Sequence, residues 1–301
     1  MKYFISVLGI ISIILVTIIN FFPNQVYDFI EQKIYKKEYV IAKANDYYLE
    51  NNYEYVKNYT DDIKNKEELY DYIYYVINTG SDFANGECTK EYTNCIDDLL
   101  ELQKDEKKMS AINNFVHPYN NFTDIVIGYT KNSKKFSISV THLYSKEEIS
   151  QINYVVNNKI KELVLDTMTT EEKIKVIHDY IIDNTEYDKL KAKNIDDSTY
   201  KSKTAYGTLI QGYGVCSGYS DAMAIFLSKL NIPNYRVSSE KHIWNLAYVN
   251  GEWLHIDTTW DDPISEFNEN RDTYFLIDYD RLQELNDNTH IFDKNIFKEA
   301  Y

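Results

Sequence analysis

The chain opens with a long apolar run, after which apolar and polar positions alternate at shorter intervals. Residues 3–22 are uncharged and almost wholly apolar, and an apolar helix of about 20 residues can span a bilayer. A cleavable signal would have a shorter apolar stretch and a small-residue cleavage site, which residues 20–23 do not offer. The pattern therefore predicts an uncleaved membrane anchor over residues 1–22. We expect the rest of the chain to lie outside the cytoplasm, although lysines soon after the run weaken the charge asymmetry that sets orientation.

Capping residues mark the starts of several predicted helices. Asn65 is followed three positions later by Glu68, an apolar face comes next, and Gly80 stops the run. The same spacing of a hydroxyl residue and a glutamate starts predicted helices at Ser145 and Thr169. These segments predict a substantial helical content.

Two pairs of alternating segments predict β-hairpins. Residues 124–130 and 136–143 alternate like strands around the turn-forming Lys131–Ser133. A stronger signal is Asn250–Gly251, which lies between alternating runs within residues 242–259 and favours a two-residue type I′ turn. Together the helices and hairpins predict an α+β fold.

The elements suggest three parts of the chain. After the anchor, residues 23–144 are predicted to form a helical stalk, over residues 26–58, and then a small α+β domain. Residues 145–301 are predicted to form a second domain. No linker rich in proline and glycine marks position 145, so the two parts are expected to pack tightly.

Composition excludes some classes of partner. The chain has 301 residues, and its 44% of hydrophobic residues are enough to build a core. Its net charge of −15, with no compensating basic tract, argues against nucleic acid as a partner. Four histidines lack ligand-like spacing and are interpreted as surface or packed residues, and neither a metal nor a cofactor is predicted. They are His117, His142, His178 and His290. For His178, near the apolar side of its helix, we expect a hydrogen bond in the core, and His255 is interpreted as a packing residue.

The three cysteines separate into a pair and a single thiol. Cys88 and Cys95 lie close together in a polar stretch, which suits a disulfide in an oxidising compartment. Cys216 is set among glycines and is followed by an apolar helix; the N-terminus of a helix favours a thiolate and offers N–H donors to an oxyanion. A small buried cysteine under a glycine loop explains the stretch equally well. From this stretch alone both interpretations stay open.

The second hairpin supplies partners for the thiol. If Val249 faces Glu252 across the turn, His242 and Asp257 become diagonal neighbours on one face, about 7 Å apart at their side-chain roots. A thiol nucleophile needs a base, and the base needs an acceptor that orients it. Cys216, His242 and Asp257 can fill these three roles. The alternative is that the histidine and the aspartate are solvated strand ends.

Two stretches resemble the bacterial branch of the transglutaminase-like superfamily. They are residues 205–237, AYGTLIQGYGVCSGYSDAMAIFLSKLNIPNYRV, and residues 241–263, KHIWNLAYVNGEWLHIDTTWDDP. The features that match are a glycine-flanked cysteine heading a helix, an H-x-W-N strand and a D-x-T-W-D-D-P segment. HDYIIDNTEYD, from residue 178 to 188, is similar to the helix that precedes the cysteine in that family. The resemblance covers about residues 165–263.

The resemblance implies a papain-like α+β core, with the nucleophile on a helix packed against an antiparallel sheet that bears the histidine and the aspartate. It implies acyl transfer on a protein or peptide substrate through a thioester. Cys216 would attack a carboxamide, typically of a glutamine, His242 would protonate the released ammonia, and Asp257 would hold the imidazole. An amine or water would then resolve the thioester.

The same resemblance leaves the other substrate contacts open. The Cys216 backbone N–H would be one oxyanion donor, and Gln211 or Tyr206 could offer a second from its side chain. Gly218, by clearing space beside the sulfur, and Trp244 are further candidates for contact with the substrate. Animal members of the superfamily depend on calcium, but no calcium-loop pattern is present here, so no metal is carried over.

The sequence thus predicts a membrane-anchored enzyme with transglutaminase-like acyl transfer. A cysteine peptidase or amidase could use the same triad with water as the acceptor, because acceptor choice depends on the shape and dryness of the cleft. A surface interaction module that retains the fold without activity is a third alternative.

Overall fold

The computed structural model of the chain describes residues 17–18, 20–22, 39–51, 53–59, 62–129, 133–193, 199–262, 271–286 and 288–301. They divide between two compact units, Met1–Ile41 and Ala42–Tyr301. Most of the predicted membrane anchor lies outside the described residues. Among the residues that are described, no helix combines the length and the apolar character needed to cross a membrane.

Helices of the larger unit form where apolar positions recur at helical spacing behind a capping residue. In chain order they are α1 (Lys66–Asn78), α2 (Cys95–Lys104), α3 (Glu106–Phe115), α4 (Lys146–Leu163), α5 (Thr170–Asn184), α6 (Lys189–Ala192), α7 (Cys216–Lys229) and α8 (Tyr279–Glu284). Short 3-10 turns occur at Pro118–Asn120, Asn288–His290 and Lys298–Ala300, and a π-helical turn at Gly207–Gln211.

The strands of this unit form one parallel pair and two antiparallel sheets within the described residues. They are β1 (Phe83–Glu87), β2 (Phe122–Tyr129), β3 (Lys135–His142), β4 (Glu186–Tyr187), β5 (Tyr213–Gly214), β6 (Asn234–Ser238), β7 (Ile243–Val249), β8 (Glu252–Ile256) and β9 (Phe275–Ile277). The first sheet has the order β1-β3-β2, β4 pairs with β5 in parallel, and β6 to β9 form the second sheet in chain order.

The predicted helix starts are confirmed. The side chain of Asn65 accepts a hydrogen bond from the Glu68 N–H, at 2.9 Å, and α1 follows. Ser145 and Thr169 each form a complete capping box with the glutamate three residues later, at the starts of α4 and α5. Each cap supplies an acceptor to an N–H that the helix itself leaves without a partner.

The predicted hairpins are confirmed as well. β2 pairs with β3, although Lys131 and Asn132 of the predicted turn lie outside the described residues. In the second hairpin Val249 pairs with Glu252, as expected. That ladder ends at the pair Asn245–Ile256, three pairs earlier than predicted, because the Asp257 N–H donates to the Tyr274 carbonyl, at 3.1 Å, instead of continuing along β7. Asp257 therefore lies just beyond the end of its strand.

The predicted stalk helix over residues 26–58 is wrong where the structure describes it. Residues 39–51 and 53–58 are extended or turning. Two of their backbone N–H groups bond to the end of α1: that of Asn45 donates to the Thr79 carbonyl, at 3.0 Å, and that of Leu49 to Asn78 Oδ1, at 3.2 Å. These long-range hydrogen bonds replace the helical ones.

The four-stranded sheet lies between two hydrophobic clusters. One cluster packs α7 and α5 against residues such as Ala247 and Val249. The other packs the outer residues of the sheet, among them Tyr235 and Trp244, against Phe115 and the rest of the N-terminal half. The core is therefore continuous across position 145, in keeping with the tight packing expected there.

A buried polar network fixes the helix that begins at Cys216. Asp221 on α7 forms an ion pair with Arg236 on β6 and accepts a hydrogen bond from the Tyr144 hydroxyl, at 2.6 Å. The same guanidinium donates to the Val116 carbonyl, at 3.1 Å, and to Asn121 Oδ1, at 2.8 Å. Because a buried charge must be compensated, this network locks α7 to the sheet and to the N-terminal half.

The predicted disulfide is present. Cys88 and Cys95 are joined, with an S–S distance of 2.01 Å, and link the end of β1 to the start of α2. Both side chains are buried. Neither β1 nor α3 was predicted, although the Asp105 cap and the helical spacing of Met109, Ile112 and Phe115 were available signals for α3.

Candidate active site

Cys216 is the first residue of α7 and has a free, partly exposed thiol. The preceding loop reaches it through Gly212, whose φ of 75° lies in the left-handed region that favours glycine. The Val215 N–H donates to the Ser202 carbonyl, at 2.9 Å, and fixes the last turn before the cysteine. The thiol is thus held at a helix N-terminus, as the sequence predicted.

The role expected for Gly218 beside the sulfur stays a prediction, but the structure gives this glycine a packing role. A Cβ atom at this position would clash with the Ser202 carbonyl oxygen and lie 2.6 Å from Thr208 Oγ1. The protein itself fills the space into which a side chain here would point. Gly218 therefore allows α7 to pack closely against the neighbouring chain.

We expect Gly218→Ala to lower the stability of the protein by about 1–3 kcal/mol, because the added methyl group overpacks a rigid site. Activity per folded molecule should stay close to that of the wild type. Urea unfolding measures the first quantity and active-site titration the second. Ser217→Ala, on the same turn, is the matched control; it removes the half-buried hydroxyl that donates to the Lys203 carbonyl, at 3.0 Å, and should cost about 0.5–1 kcal/mol. If Gly218→Ala lost turnover at unchanged stability, the result would support a contact between Gly218 and the substrate instead.

His242 is placed by a tight turn before β7. Its N–H donates to Ser239 Oγ, at 3.1 Å, and its carbonyl accepts from the Ser239 N–H, at 2.9 Å. The imidazole Nε2 forms a short hydrogen bond with Asp257 Oδ2. The diagonal contact that the hairpin register predicted is therefore formed.

Asp257 is almost completely buried, with 1% of its surface exposed, and every part of its carboxylate is engaged. Oδ1 accepts hydrogen bonds from the backbone N–H groups of Thr259, at 3.0 Å, and Trp260, at 3.1 Å. Oδ2 accepts from His242 and also from His290 Nε2, at 2.8 Å. An ionised carboxylate has about four acceptor positions, and these four donors use them.

The electrostatics of the pair favour an imidazolium beside a carboxylate. Burial alone lowers the pKa of His242, but the Asp257 carboxylate and then the Cys216 side chain outweigh it and raise the pKa to about 10. Burial raises the pKa of Asp257, yet His242 and His290 hold it well below its usual range. Since Asp257 takes Nε2 of the ring, Nδ1 is the nitrogen left to face the thiol. This arrangement can hold a proton near the sulfur and return it.

The acidic residues after Asp257 have structural partners. Asp261 Oδ2 bonds to Nε2 of the fully buried His178, at 3.2 Å, and its Oδ1 accepts from the Tyr274 N–H, at 2.9 Å. Asp262 accepts a short hydrogen bond from the Tyr219 hydroxyl on α7. These contacts fasten the loop after Asp257 to α5 and α7. The interpretation of His178 as a core hydrogen-bonding residue is confirmed.

Three of the predicted substrate contacts are engaged elsewhere. Trp244 is buried, and its indole N–H donates to His255 Nδ1, at 2.9 Å, so it packs beside His242 rather than facing a substrate. Gln211 Oε1 accepts from the Lys201 N–H, at 2.7 Å. The Tyr206 hydroxyl donates to a glutamine on α4, at 3.3 Å. The second oxyanion donor, expected from Gln211 or Tyr206, therefore stays a prediction.

Two neighbours of the pair were missed by the sequence analysis. His290, interpreted there as a surface or packing residue, is 2% exposed and bonds to the same oxygen as His242. No spacing or turn connects it to Asp257 along the chain. Trp260 is 46% exposed and meets the His242 ring edge to face, with 6.2 Å between centroids. The position of Trp260 in the D-x-T-W motif, three residues after Asp257, was the sequence signal that could have placed it near the site.

Two groups in the described part of the chain have donor atoms close enough to share a metal ion. They are His242, Asp257 and His290, and His178, Asp179 and Asp272. In the first group the donor atoms are already hydrogen-bonded to one another, so a cation would displace the bond that orients the imidazole. The second group surrounds a histidine that is already paired with Asp261.

One segment of the chain matches a known family. Residues 157–258 match the family model described as the transglutaminase-like superfamily. No curated protein matches the chain.

Several solved structures are similar over part of their length. A protein described as a TGase is 16% identical, with 49% of this chain and 47% of that chain covered and a TM-score of 0.36. A candidate cysteine protease from Cytophaga hutchinsonii is 20% identical, with 45% and 62% covered and a TM-score of 0.28. The chain thus spans about half to three fifths of these proteins. The segment that matches the transglutaminase-like superfamily, residues 157–258, contains Cys216, His242 and Asp257.

Proposed function

We propose that this protein is a cysteine enzyme that transfers an acyl group from a carboxamide of a protein or peptide to an amine. The observation that supports the proposal is the placement of the Cys216 thiol at the start of α7, beside an imidazole that a buried carboxylate orients. Structural cysteines are usually buried in apolar surroundings instead.

The first half of the reaction forms a thioester. The Cys216 thiolate attacks the carbonyl carbon of the carboxamide, and the negative charge moves to the carbonyl oxygen. N–H groups in the first turn of α7 can stabilise that oxygen. The C–N bond then breaks, and the His242 imidazolium donates its proton to the departing nitrogen, which leaves as ammonia.

The second half returns the enzyme to its starting state. His242, now neutral, takes a proton from the acceptor amine as the amine attacks the thioester carbon. The C–S bond breaks and the sulfur leaves as the thiolate, which the regenerated imidazolium stabilises. Asp257 keeps Nε2 protonated throughout, so that Nδ1 is the nitrogen that exchanges the proton.

We propose that the exposed indole of Trp260 lines the side from which the acceptor approaches. It stands against the His242 ring, where the acceptor must be deprotonated. An apolar wall there would favour the alkyl chain of an amine over water. Hydrolysis through the same residues, as in a cysteine peptidase or amidase, is the competing outcome that the experiment below distinguishes.

We also retain, from the apolar run over residues 3–22, the proposal that the enzyme is anchored in a membrane with its catalytic part outside the cytoplasm. The Cys88–Cys95 disulfide supports an oxidising compartment. The catalytic geometry does not depend on this proposal.

The decisive experiment incubates the full-length protein with a glutamine-rich protein and a biotin-labelled primary amine. We expect covalent incorporation of the amine and release of ammonia, without new peptide termini, and no reaction with Cys216→Ser. Ammonia without incorporation would indicate a deamidase, and new termini would indicate a peptidase. The proposal fails if none of these products forms and Cys216 also resists alkylation at pH 6.

A further inference from the structure

His290 lies outside the part of the chain that matches the family, yet it contacts the centre of the candidate site. Its Nε2 lies 2.8 Å from Asp257 Oδ2, the same oxygen that bonds to His242. An ionised carboxylate only accepts hydrogen bonds, so both imidazoles must donate to this oxygen. The Asp257 carboxylate therefore accepts hydrogen bonds from the His242 and His290 rings at the same time.

The ring of His290 is held firmly in place. It stacks on Tyr274, with centroids 4.8 Å apart and an interplanar angle of 16°, and meets Trp244 edge to face at 4.7 Å. Trp260 closes another side at 5.6 Å. With 2% of its surface exposed, the side chain cannot turn away from Asp257 without moving its neighbours.

Orientation of Asp257 does not require His290. The other oxygen, Oδ1, is already fixed by the backbone N–H groups of Thr259 and Trp260. His290 instead affects the strength of the bond between Asp257 and His242. A second hydrogen-bond donor on Oδ2 draws on the same negative charge and so weakens the hydrogen bond from His242. Charge sharing, rather than placement, is thus the larger effect of this contact.

We propose that His290 is a positioning residue that keeps the proton of His242 transferable: by donating to Asp257 Oδ2, it limits the attraction of the carboxylate for the imidazolium. The inference rests on the proposed function. It matters most in the second half of the reaction, when His242 must be neutral to accept a proton. An imidazole held too strongly as imidazolium would leave the thioester unresolved.

Four other ionisable groups lie close enough to His242, Asp257 and His290 to influence their charges. Cys216 lies on α7, Tyr187 on β4, Asp261 on the loop after Asp257, and His255 on β8. In the thioester the sulfur carries no charge, so the contribution of Cys216 to His242 is absent at that stage. Asp257 is then the main group that holds the proton on His242.

The test compares His290→Phe with His290→Gln in the full-length protein. Phenylalanine keeps the aromatic packing and removes the donor, whereas the glutamine amide can still donate to Asp257. The probe is p-nitrophenyl acetate, because its phenolate leaves without a proton, so the burst reports acylation and the steady state reports deacylation by water.

We expect a wild-type burst in both variants. In His290→Phe the pH profile of the steady-state rate should move upward by about one pH unit, which makes that rate at pH 7 about tenfold lower. His290→Gln should remain near the wild type. His117→Phe, which removes a buried histidine of the N-terminal half, is the control and should affect melting temperature only.

The possible outcomes separate the two proposals. If the wild type gives no burst, or if Cys216→Ser gives the same burst, the proposed function fails. If the burst is present and His290→Phe has the wild-type profile, only the role of His290 fails. A loss in His290→Gln as large as that in His290→Phe also overturns it. Should His290→Phe lack a cooperative unfolding transition, His290→Met, which also lacks a donor, takes its place.

Discussion

Replacement of His242 by alanine should leave Cys216 almost unreactive toward iodoacetamide at pH 6. An ordinary cysteine thiol is ionised to well under about 1% at this pH, whereas a thiol that has passed its proton to a neighbouring imidazole is mostly thiolate. We therefore expect the rate of alkylation to fall on the order of 100-fold. Mass spectrometry of the peptide that contains Cys216 measures that rate directly and needs no substrate.

Turnover in the amine-incorporation assay should fall further in the same variant, by about 10⁴-fold or more, because the base and the proton donor are lost together. His117→Ala is the matched control for removal of a buried histidine and should alkylate as the wild type does. Equal alkylation of Cys216 in His242→Ala and the wild type would show that the thiol does not depend on this imidazole, and the triad would have to be abandoned.

Asp257→Asn should preserve the fold and lower turnover by roughly 10²- to 10⁴-fold. Two backbone N–H groups bind Oδ1, so the asparagine oxygen must stay there and its NH₂ must face the two imidazoles. His242 Nε2 then has to accept a hydrogen bond instead of donating one. The ring is forced into the tautomer that carries its proton on Nδ1, toward Cys216, and cannot act as the base.

Melting temperature and circular dichroism should show that Asp257→Asn is folded, and the pH profile of alkylation should lose the plateau that the imidazolium provides. Asp261→Asn is the control, since that carboxylate bonds to His178 and to the Tyr274 N–H rather than to His242. It should destabilise the protein more than it slows the reaction. A near-normal rate in Asp257→Asn would mean that this carboxylate is structural.

Local signals predicted the elements on which the site stands. The caps at Ser145 and Thr169, the Asn250–Gly251 turn and the helix after Cys216 each depend on residues within a few positions of one another. Such short-range chemistry is visible in sequence. The hairpin register also placed His242 and Asp257 on one face, because a two-residue turn fixes the pairing of both strands.

Long-range packing decided what the sequence did not predict. β1 forms next to β3 because Gly86 lets the Phe136 ring cross it, a contact 50 residues away that no local pattern indicates. Gly218 belongs to the same class, since the chain that presses on it comes from residues 202–208. His290 reaches Asp257 only after the C-terminal segment has folded back over the sheet. In each case the deciding partner is distant in sequence.

The contacts of the buried Arg236 guanidinium show that the segment matched by the family is shorter than the part of the chain that packs together. The segment shared with the family is residues 157–258, but this side chain within it depends on acceptors at Val116 and Asn121. A fragment trimmed to the shared segment would lose those two acceptors and would expose the outer face of β6 to water. We therefore expect residues 157–258 to need the N-terminal half in order to fold stably.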